Sequence, residues 1–377
     1  MRLLHTGDLH LDSAFCSLGA RDAEAQRDRG RQLLRDIFEC ARNEKCDMIL
    51  FAGDVFDSKA ITEKTGECLC RLVEENDITV VLSPGNHDYY THNSFYAKAQ
   101  ERLGSKLILF TSSELQTFDV DALGVRVFGY AFTSPVISQN PLSSAELPLD
   151  NGYLKIFCGH ADLSSPISKY APITVAELEA LGASYCALGH VHNSAPFEDK
   201  DGKIRYCGFA QGRSFDEIGE GGVWIVDTDG ERTECERRVL SSISFYYLDV
   251  SVGENSEKSA IEERIVSAIK AAAYPAGAHV RLTLQGSVDE RTVVDVVASA
   301  DELCERCGLE YLEIIDQTLP VFDGEYLDKD TTIRGELYRT LKGRLMSEDA
   351  EERRLATRAL KIALYAIEGK NIFDLSE

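Results

Sequence analysis

Three things are scarce in this sequence, and each scarcity narrows what the chain can be. No apolar run is long enough to span a bilayer, and Met1-Arg2-Leu3-Leu4 leads straight into a strand-like segment without the layout of a signal peptide. The expectation is a cytoplasmic protein with no membrane partner. Paired cysteine spacing is the second scarcity. The eleven cysteines are odd in number and scattered from Cys16 to Cys307, and Cys158 and Cys186 sit inside apolar runs as small hydrophobes. That pattern argues for reduced thiols and against a disulfide framework. A single CxxC, Cys304 and Cys307, lacks the second ligand pair a structural zinc needs, and its surroundings read as a helix. Positive charge is the third deficit: 40 Lys and Arg face 63 Asp and Glu, a net charge of -23. Duplex DNA binding gains most of its affinity from Lys and Arg replacing counterions. Any hold on DNA therefore requires local positive charge or a partner that supplies it.

What is present is an ordinary globular composition, 44% hydrophobic, with 377 residues leaving room for two domains or a little more. There is no internal repeat and no low-complexity segment. Up to about residue 240, short apolar strands alternate with amphipathic helices. Strands are expected at Leu3–Thr6, Asp47–Ala52, Ile78–Leu82, Val125–Phe128, Leu154–Cys158 and Ser184–Leu188. Helical spacing joins Leu33, Leu34, Ile37, Phe38 and Ala41, and again Cys68, Leu69, Leu72 and Val73. Continuous apolar strands between helices predict an α/β core with covered sheets. Strands such as Gly222–Val226 follow without helices, so the sheet turns mixed or antiparallel there. After a break near Leu240-Ser241-Ser242, a β-α-β-α-β order is expected: Phe245–Val252, Ser256–Ala272, Ala278–Gln285, Glu290–Cys307 and Glu310–Ile315. The tail from Thr331 reads as charged helix with one apolar stripe, Leu355, Leu360, Ala363, Leu364 and Ile367. The division is 1–240 catalytic, 243–320 small α+β module and 321–377 helical tail.

Five segments end alike, in an apolar run, a small residue and then a metal-type ligand: Gly7-Asp8, Gly53-Asp54, Gly85-Asn86-His87, Gly159-His160 and Gly189-His190. Glycine there permits a sharp turn and close approach. The carboxyl ends of parallel strands are the usual binding edge of α/β sheets. Asp8/His10 and His190/His192 are two apart, which turns both members of each pair to one side of an extended backbone. Imidazole with carboxylate and no thiolate suits mid-row divalent ions such as manganese, iron or zinc. Asp54 is the natural bridge, with Asp8, His10 and His192 completing one ion and Asn86, His160 and His190 the other. Two carboxylates against two divalent ions leave a net positive centre, which attracts phosphate even within an acidic protein. Such ion pairs clamp both oxygens of an in-line displacement. His87 is left over as the candidate general acid, with Asp88 to orient its ring and Asp57 to position His87 or the substrate. One such motif alone is mostly a turn; five in the same context, holding five of the eight histidines, make a site.

Together Asp8-x-His10, Gly53-Asp54-x-x-Asp57, Gly85-Asn86-His87-Asp88, Gly159-His160 and Gly189-His190-x-His192 resemble the calcineurin-like metallophosphoesterase superfamily. The resemblance implies a four-layer α/β/β/α sandwich and the ligand roles above. Asp8–Ser13, Gly53–Ser58, Gln211-Gly-Arg213 and Glu217–Gly222 further resemble the SbcD nuclease family, nearest to its bacterial YhaO-type branch of DNA repair exonucleases. That finer resemblance implies a two-metal phosphodiesterase acting on DNA ends, with attack by a hydroxide bridging the metals and His87 as general acid. It favours manganese, with iron, zinc or magnesium as alternatives. It also makes 243–320 a capping domain and the tail from Thr331 a docking segment for an SbcC-type coiled-coil ATPase, and it points to a homodimer through helices near 62–75 and 94–103.

Three features carry competing readings. Arg21, Arg27, Arg29, Arg31 and Arg35 are interleaved with acids and read better as a solvated helix face than as a basic patch. Arg213, in a loop expected close after His192, is a candidate phosphate contact or an ordinary loop salt bridge. The apolar tail stripe packs on its own chain or docks in a partner groove. At the level of function, a phosphodiesterase or phosphatase for a small nucleotide is the alternative that the acidity favours. A non-catalytic binding module on the same fold would have eroded ligands, and none is missing here.

Overall fold

The computed structural model describes residues 1–14, 20–58, 60–143, 152–193, 202–253, 256–288, 296–320 and 324–367, together with Gly369. They form two compact units, Met1–Ser242 and Ile243–Glu377. The larger unit runs β1 (Arg2–Thr6), α1 (Ala20–Asn43), β2 (Met48–Phe51), α2 (Glu63–Glu75), β3 (Thr79–Leu82), α3 (Phe95–Leu103) and β4 (Leu107–Leu109). It continues through β5 (Gln116–Val120), β6 (Val125–Gly129), β7 (Leu154–His160), α4 (Val175–Ala180), β8 (Tyr185–Gly189), β9 (Ile204–Tyr206), β10 (Gly222–Thr228) and β11 (Thr233–Val239).

Two sheets result. One has the order β11-β10-β1-β2-β3-β4, parallel from β1 to β4 and antiparallel at β10 and β11. The other has the order β5-β6-β7-β8-β9, parallel except for its edge strand β5. Alternation along the strands explains the layering. Leu3, Met48, Leu50 and Val81 face Val127, Ile156, Cys158 and Ala187 of the second sheet. Their neighbours Leu4, Ile49, Phe51, Val80 and Leu82 face the helices, where Leu34, Ile37 and Phe38 of α1, Leu69 and Val73 of α2 and Tyr96 of α3 cover them. On the far side, Phe128, Phe157 and Leu188 pack under Leu178 of α4. Strands buried on both faces have no polar side to show, which is why they read as unbroken apolar runs. The order is helices, sheet, sheet, helix, the four-layer α/β/β/α sandwich expected.

The smaller unit runs β12 (Ser244–Val252), α5 (Lys258–Ala272), β13 (Ala278–Val288), α6 (Ala300–Cys307), β14 (Tyr311–Asp316), β15 (Leu319–Pro320), α7 (Gly324–Lys329), α8 (Ile333–Leu345) and α9 (Ala350–Ile367). Strands β12, β13 and β14 form a parallel sheet, with β15 adding to the end of β13. Ile261, Ile265, Val266 and Ile269 of α5 and Leu303 of α6 cover Val280, Leu282, Leu284, Leu312 and Ile314. The start expected for the second helix, Glu290, lies outside the described residues. Cys304 and Cys307 sit on α6 as free thiols, like every other cysteine among the described residues; Cys16 lies outside them. The tail stripe divides. Leu360 and Leu364 pack against Leu327 and Tyr338 of the same chain, while Leu355 and Ile367 are exposed. Among the described residues no helix is long and apolar enough to cross a membrane.

Ile265 is fully buried where α5 meets the small sheet. Ile265→Ala is expected to cost about 2–5 kcal/mol through lost burial and the cavity left behind. A lower urea midpoint for the small unit would register it; an unchanged midpoint would contradict α5 as its anchor.

Candidate metal centre

The loops after β1, β2, β3, β7 and β8 all leave their strands at one edge of the sandwich, so the two sheets bring their carboxyl ends together. The loops then interlock through the backbone. The Asp8 N–H donates to the Gly53 carbonyl at 3.0 Å, His10 to Asp54 at 3.0 Å and Asp57 to Leu11 at 2.9 Å. Across the sheets, the His190 N–H donates to the Asp8 carboxylate at 2.9 Å. This closeness explains two glycines. A Cβ on Gly53, whose φ is +95°, would run into the His160 ring, and one on Gly85 would overlap the Asp54 carboxylate. Four of the candidate ligands hold positive φ, Asp8 (48°), His10 (44°), Asp54 (48°) and His190 (106°). Each such conformation costs on the order of 1–3 kcal/mol and persists only where its surroundings impose it.

The imidazoles are held by their outer nitrogens. Nδ1 of His10 lies 3.1 Å from Asp57 Oδ1, Nδ1 of His192 2.8 Å from Glu217 Oε1 and Nδ1 of His160 3.0 Å from the Ala52 carbonyl. Each of those partners is an acceptor, so Nδ1 carries a hydrogen; on His10 and His160, which burial keeps neutral, Nε2 then presents a lone pair. At His192 burial works downward, but Glu217 and Asp8 prevail, raising it and favouring its protonated form until a cation takes its Nε2. The Nε2 atoms then face other acceptors. His10 and His192 Nε2 are 3.1 Å apart, and His160 Nε2 is 2.9 Å from Asn86 Oδ1 and 3.4 Å from Asp54 Oδ2. Three sets of ligand atoms lie within 4.8 Å of one another: Asp8, His10 and His192; His10, Asp54 and His87; and Asp8, Asp54 and His160. A cluster of inward-facing acceptors with so few protons is the donor set that divalent cations fit, and the mixture of imidazole, carboxylate and amide oxygen suits a mid-row ion. His190 is beside the cluster rather than in those sets, its ring 5.1 Å from His160 and 4.8 Å from Tyr170.

Electrostatics agree with a centre built around cations. Burial pushes Asp54 up to about 6 and raises Asp8, because an ionised carboxylate loses its water there without a full countercharge. Burial drives His10 down to about 3 and also lowers His160, keeping both rings neutral ligands. For Glu217, burial works upward, but hydrogen bonds from His192 and Arg213 prevail and bring it down to about 2.

Around the cluster, the remaining candidates take distinct places. The His87 side chain is 45% exposed, with its ring edge-on to His10 and its Nδ1 donating to the Asp57 carbonyl at 3.1 Å. Asp57 also holds His10, and that hydrogen bond keeps its carboxyl below the usual range. The orienting role expected of Asp88 needs correction. Its carboxylate is buried and accepts from the Gly85 N–H at 2.8 Å, the Phe56 N–H at 3.1 Å and the Tyr96 hydroxyl at 2.5 Å. It fixes the loop that carries Asn86 and His87 and leaves the His87 ring to Asp57. Arg213 is gripped by Glu217 at 2.7 Å, yet its Nη1 is 3.7 Å from Asp57, so it is both a loop salt bridge and part of the rim. On α1, Arg31 is buried between Glu24, Asp28 and Thr65, and Arg27 pairs with Glu24. Arg27 and Arg31 are thereby neutralised by acids of their own helix.

Glu217 is the residue that sequence reasoning left without a role. A buried acid in a loop carries no local signature, and only its presence in the quoted Glu217–Gly222 motif marked it. As the hydrogen-bond partner of His192, it fixes that ring's tautomer. Glu217→Gln is expected to weaken metal affinity by about 10–100-fold, measurable by calorimetric titration of manganese into the metal-free chain; unchanged affinity would contradict this role.

Residues 1–194 match the family described as calcineurin-like phosphoesterase. The chain is 25% identical over 325 residues to "Uncharacterized metallophosphoesterase YhaO" of Bacillus subtilis (strain 168), covering 81% of this chain and 76% of that protein. It is 27% identical over 280 residues to the SbcD component of nuclease SbcCD from the same organism, covering 64% and 70%. Both similarities agree with the branch that the motifs resemble. Among solved structures, a dimetal phosphatase from Danio rerio aligns with TM-score 0.40 and 12% identity, over 64% of this chain and 96% of that one. With over half its length inside the family match, the chain belongs to the calcineurin-like phosphoesterase family and is a metal-dependent phosphoester hydrolase.

Proposed function

We propose that the chain cleaves phosphodiester bonds in DNA, as an SbcD-type exonuclease or endonuclease of DNA repair. The observation that carries the chemistry is the set of inward-facing acceptors, His10, His160 and His192 Nε2 with the Asp8 and Asp54 carboxylates, that cations reconcile. Asp8, His10, Asp54, Asn86, His160, His190 and His192 would hold two divalent ions, manganese first among them. When bound, the ions supply the charge that aligns a phosphodiester and activates water. His87 acts from the rim. With Nδ1 held by the Asp57 carbonyl, Nε2 is left to protonate the departing oxygen. Arg213, held beside Asp57, adds positive charge where a phosphate would approach.

The step to DNA is supported by the similarity to the protein named as a component of nuclease SbcCD. The acidity of the chain makes a coiled-coil ATPase of the SbcC type a fitting partner to complete the DNA track in the cytoplasm, with 243–320 as the capping domain, the exposed side of α9 for docking and α2 and α3 for a homodimer. A phosphodiesterase for small nucleotides is the second reading. It is favoured by the neutralised arginines of α1, since a compact substrate needs no basic track.

Bis-p-nitrophenyl phosphate, p-nitrophenyl phosphate, linear duplex DNA and cyclic nucleotides, each with manganese, magnesium or chelator, separate the two. Metal-dependent cleavage of the diester and of DNA is expected. His87→Ala should lower turnover by about 10²–10⁴-fold at unchanged metal content, whereas Asp54→Asn should lose metal and activity together. Efficient monoester turnover without DNA cleavage, even with the ATPase present, would overturn the nuclease reading.

A further inference from the structure

The smaller unit contains a cavity of about 370 Å³ that no residue of the metal centre lines. One wall is α9, which contributes Arg354, Arg358 and Lys361. Their spacing of four and three residues puts all three on one helix face. The facing wall is the end of β13, with Ser287, and the end of β14 and the turn after it, with Asp316 and Gln317. Among the described residues, three cationic side chains thus line the cavity against one carboxylate.

That carboxylate is already engaged. Asp316 Oδ1 accepts from the Thr318 N–H at 2.8 Å and its hydroxyl at 2.6 Å, and Oδ2 accepts from Lys361, which also donates to the Thr318 carbonyl at 2.9 Å. The Lys361 and Asp316 side chains are only 5% and 9% exposed, so this pair is a fixed part of the cavity floor. Arg354 is exposed and makes no hydrogen bond or ion pair among the described residues; Arg358, one turn on, lines the same face and has a partner of its own, which leaves its remaining guanidinium donors for a ligand. The acids of the first turn of α9, Glu351 and Glu352, are not part of the lining.

We propose that this cavity is a phosphate-binding site, taking a phosphate group either of a nucleic-acid backbone or of a small phosphorylated molecule. A guanidinium presents a planar fork of donors that matches phosphate oxygens two at a time, and two such groups on one helix face can grip a single phosphate from adjacent corners. Ser287 and Gln317 offer neutral donors opposite. In a chain of net charge -23, the cavity is a local reversal of sign with hydrogen-bonding walls. The site rests on the smaller unit alone and holds whether or not the catalytic substrate is DNA.

The test uses the full chain, freed of metal and kept in chelator so that the metal centre contributes no ion-mediated phosphate binding. One arm follows the anisotropy of a fluorescein-labelled single-stranded oligonucleotide across a salt series; the other titrates inorganic pyrophosphate by calorimetry. At least one probe is expected to bind, with affinity about 10-fold or more weaker in Arg354→Ala/Arg358→Ala. If the oligonucleotide is that probe, its log–log salt slope should become shallower by about 0.7, because the one phosphate the two arginines grip is no longer neutralised. Oligonucleotide binding alone assigns a backbone phosphate, and pyrophosphate binding alone a small ligand. Arg354→Lys/Arg358→Lys keeps the charge but loses the fork, so a few-fold weakening at unchanged salt slope is expected, and it carries the test if the alanine variant fails to fold. An unchanged thermal midpoint, with bis-p-nitrophenyl phosphate turnover preserved once metal is restored, shows an intact chain. Binding of neither probe, or equal affinity in the intact variants, overturns the proposal.

Discussion

Two carboxylates, Asp8 and Asp54, are each 2% exposed at the joint between two sheets, and the donors that reach them, the His190 and His87 N–H groups and the Cys207 thiol, carry no charge. Burying anions in this way is unfavourable unless countercharge arrives. The neutral imidazoles of His10 and His160 cannot supply it while their Nδ1 hydrogens are turned outward to Asp57 and the Ala52 carbonyl. The need for cations is therefore built into the arrangement of protons, ahead of any statement about which ions or which substrate. The positive φ angles at Asp8, His10, Asp54 and His190, and the glycines packed against the ligands, are what it takes to hold such groups this close.

Much of this was legible because the chemistry sits in a repeated local context. An apolar strand buried on both faces, followed by glycine and a ligand, is visible in a single sequence, and the structure carries those loops to one edge. The strands that escaped notice are β5 and β11, half exposed at sheet edges, the three-residue β4 and β9, and the two-residue β15. Edges and short segments lack the two-sided burial that makes a strand readable. Side-chain pairing was the other blind spot. Adjacency in sequence assigned Asp88 to His87, but a side chain on an irregular loop points where the loop's orphan N–H groups require, here to Gly85 and Phe56. Glu217, 25 residues from His192, could be tied to it only by the fold.

The arginines illustrate the same limit from the opposite side. Arg31 reads as part of a surface run but is 4% exposed and satisfied by Thr65 and by acids of its own helix. Arg354 and Arg358 lie in a tail that reads only as charged helix, yet they line a cavity. Counting charges along the chain could rank neither, because the sign a ligand meets depends on which acids are already paired.

The cluster also has a history along the chain. Asp8, His10, Asp54 and Asn86 come from the first sheet, and His160, His190 and His192 follow β7 and β8 of the second. A growing polypeptide therefore displays the first four long before the histidines that complete them exist, and contacts of such sequence separation form late. The competence to hold ions thus waits on β7 and β8, long after the first four ligands have been made. A half-made chain, however well its first strands have paired, carries no working hydrolytic centre.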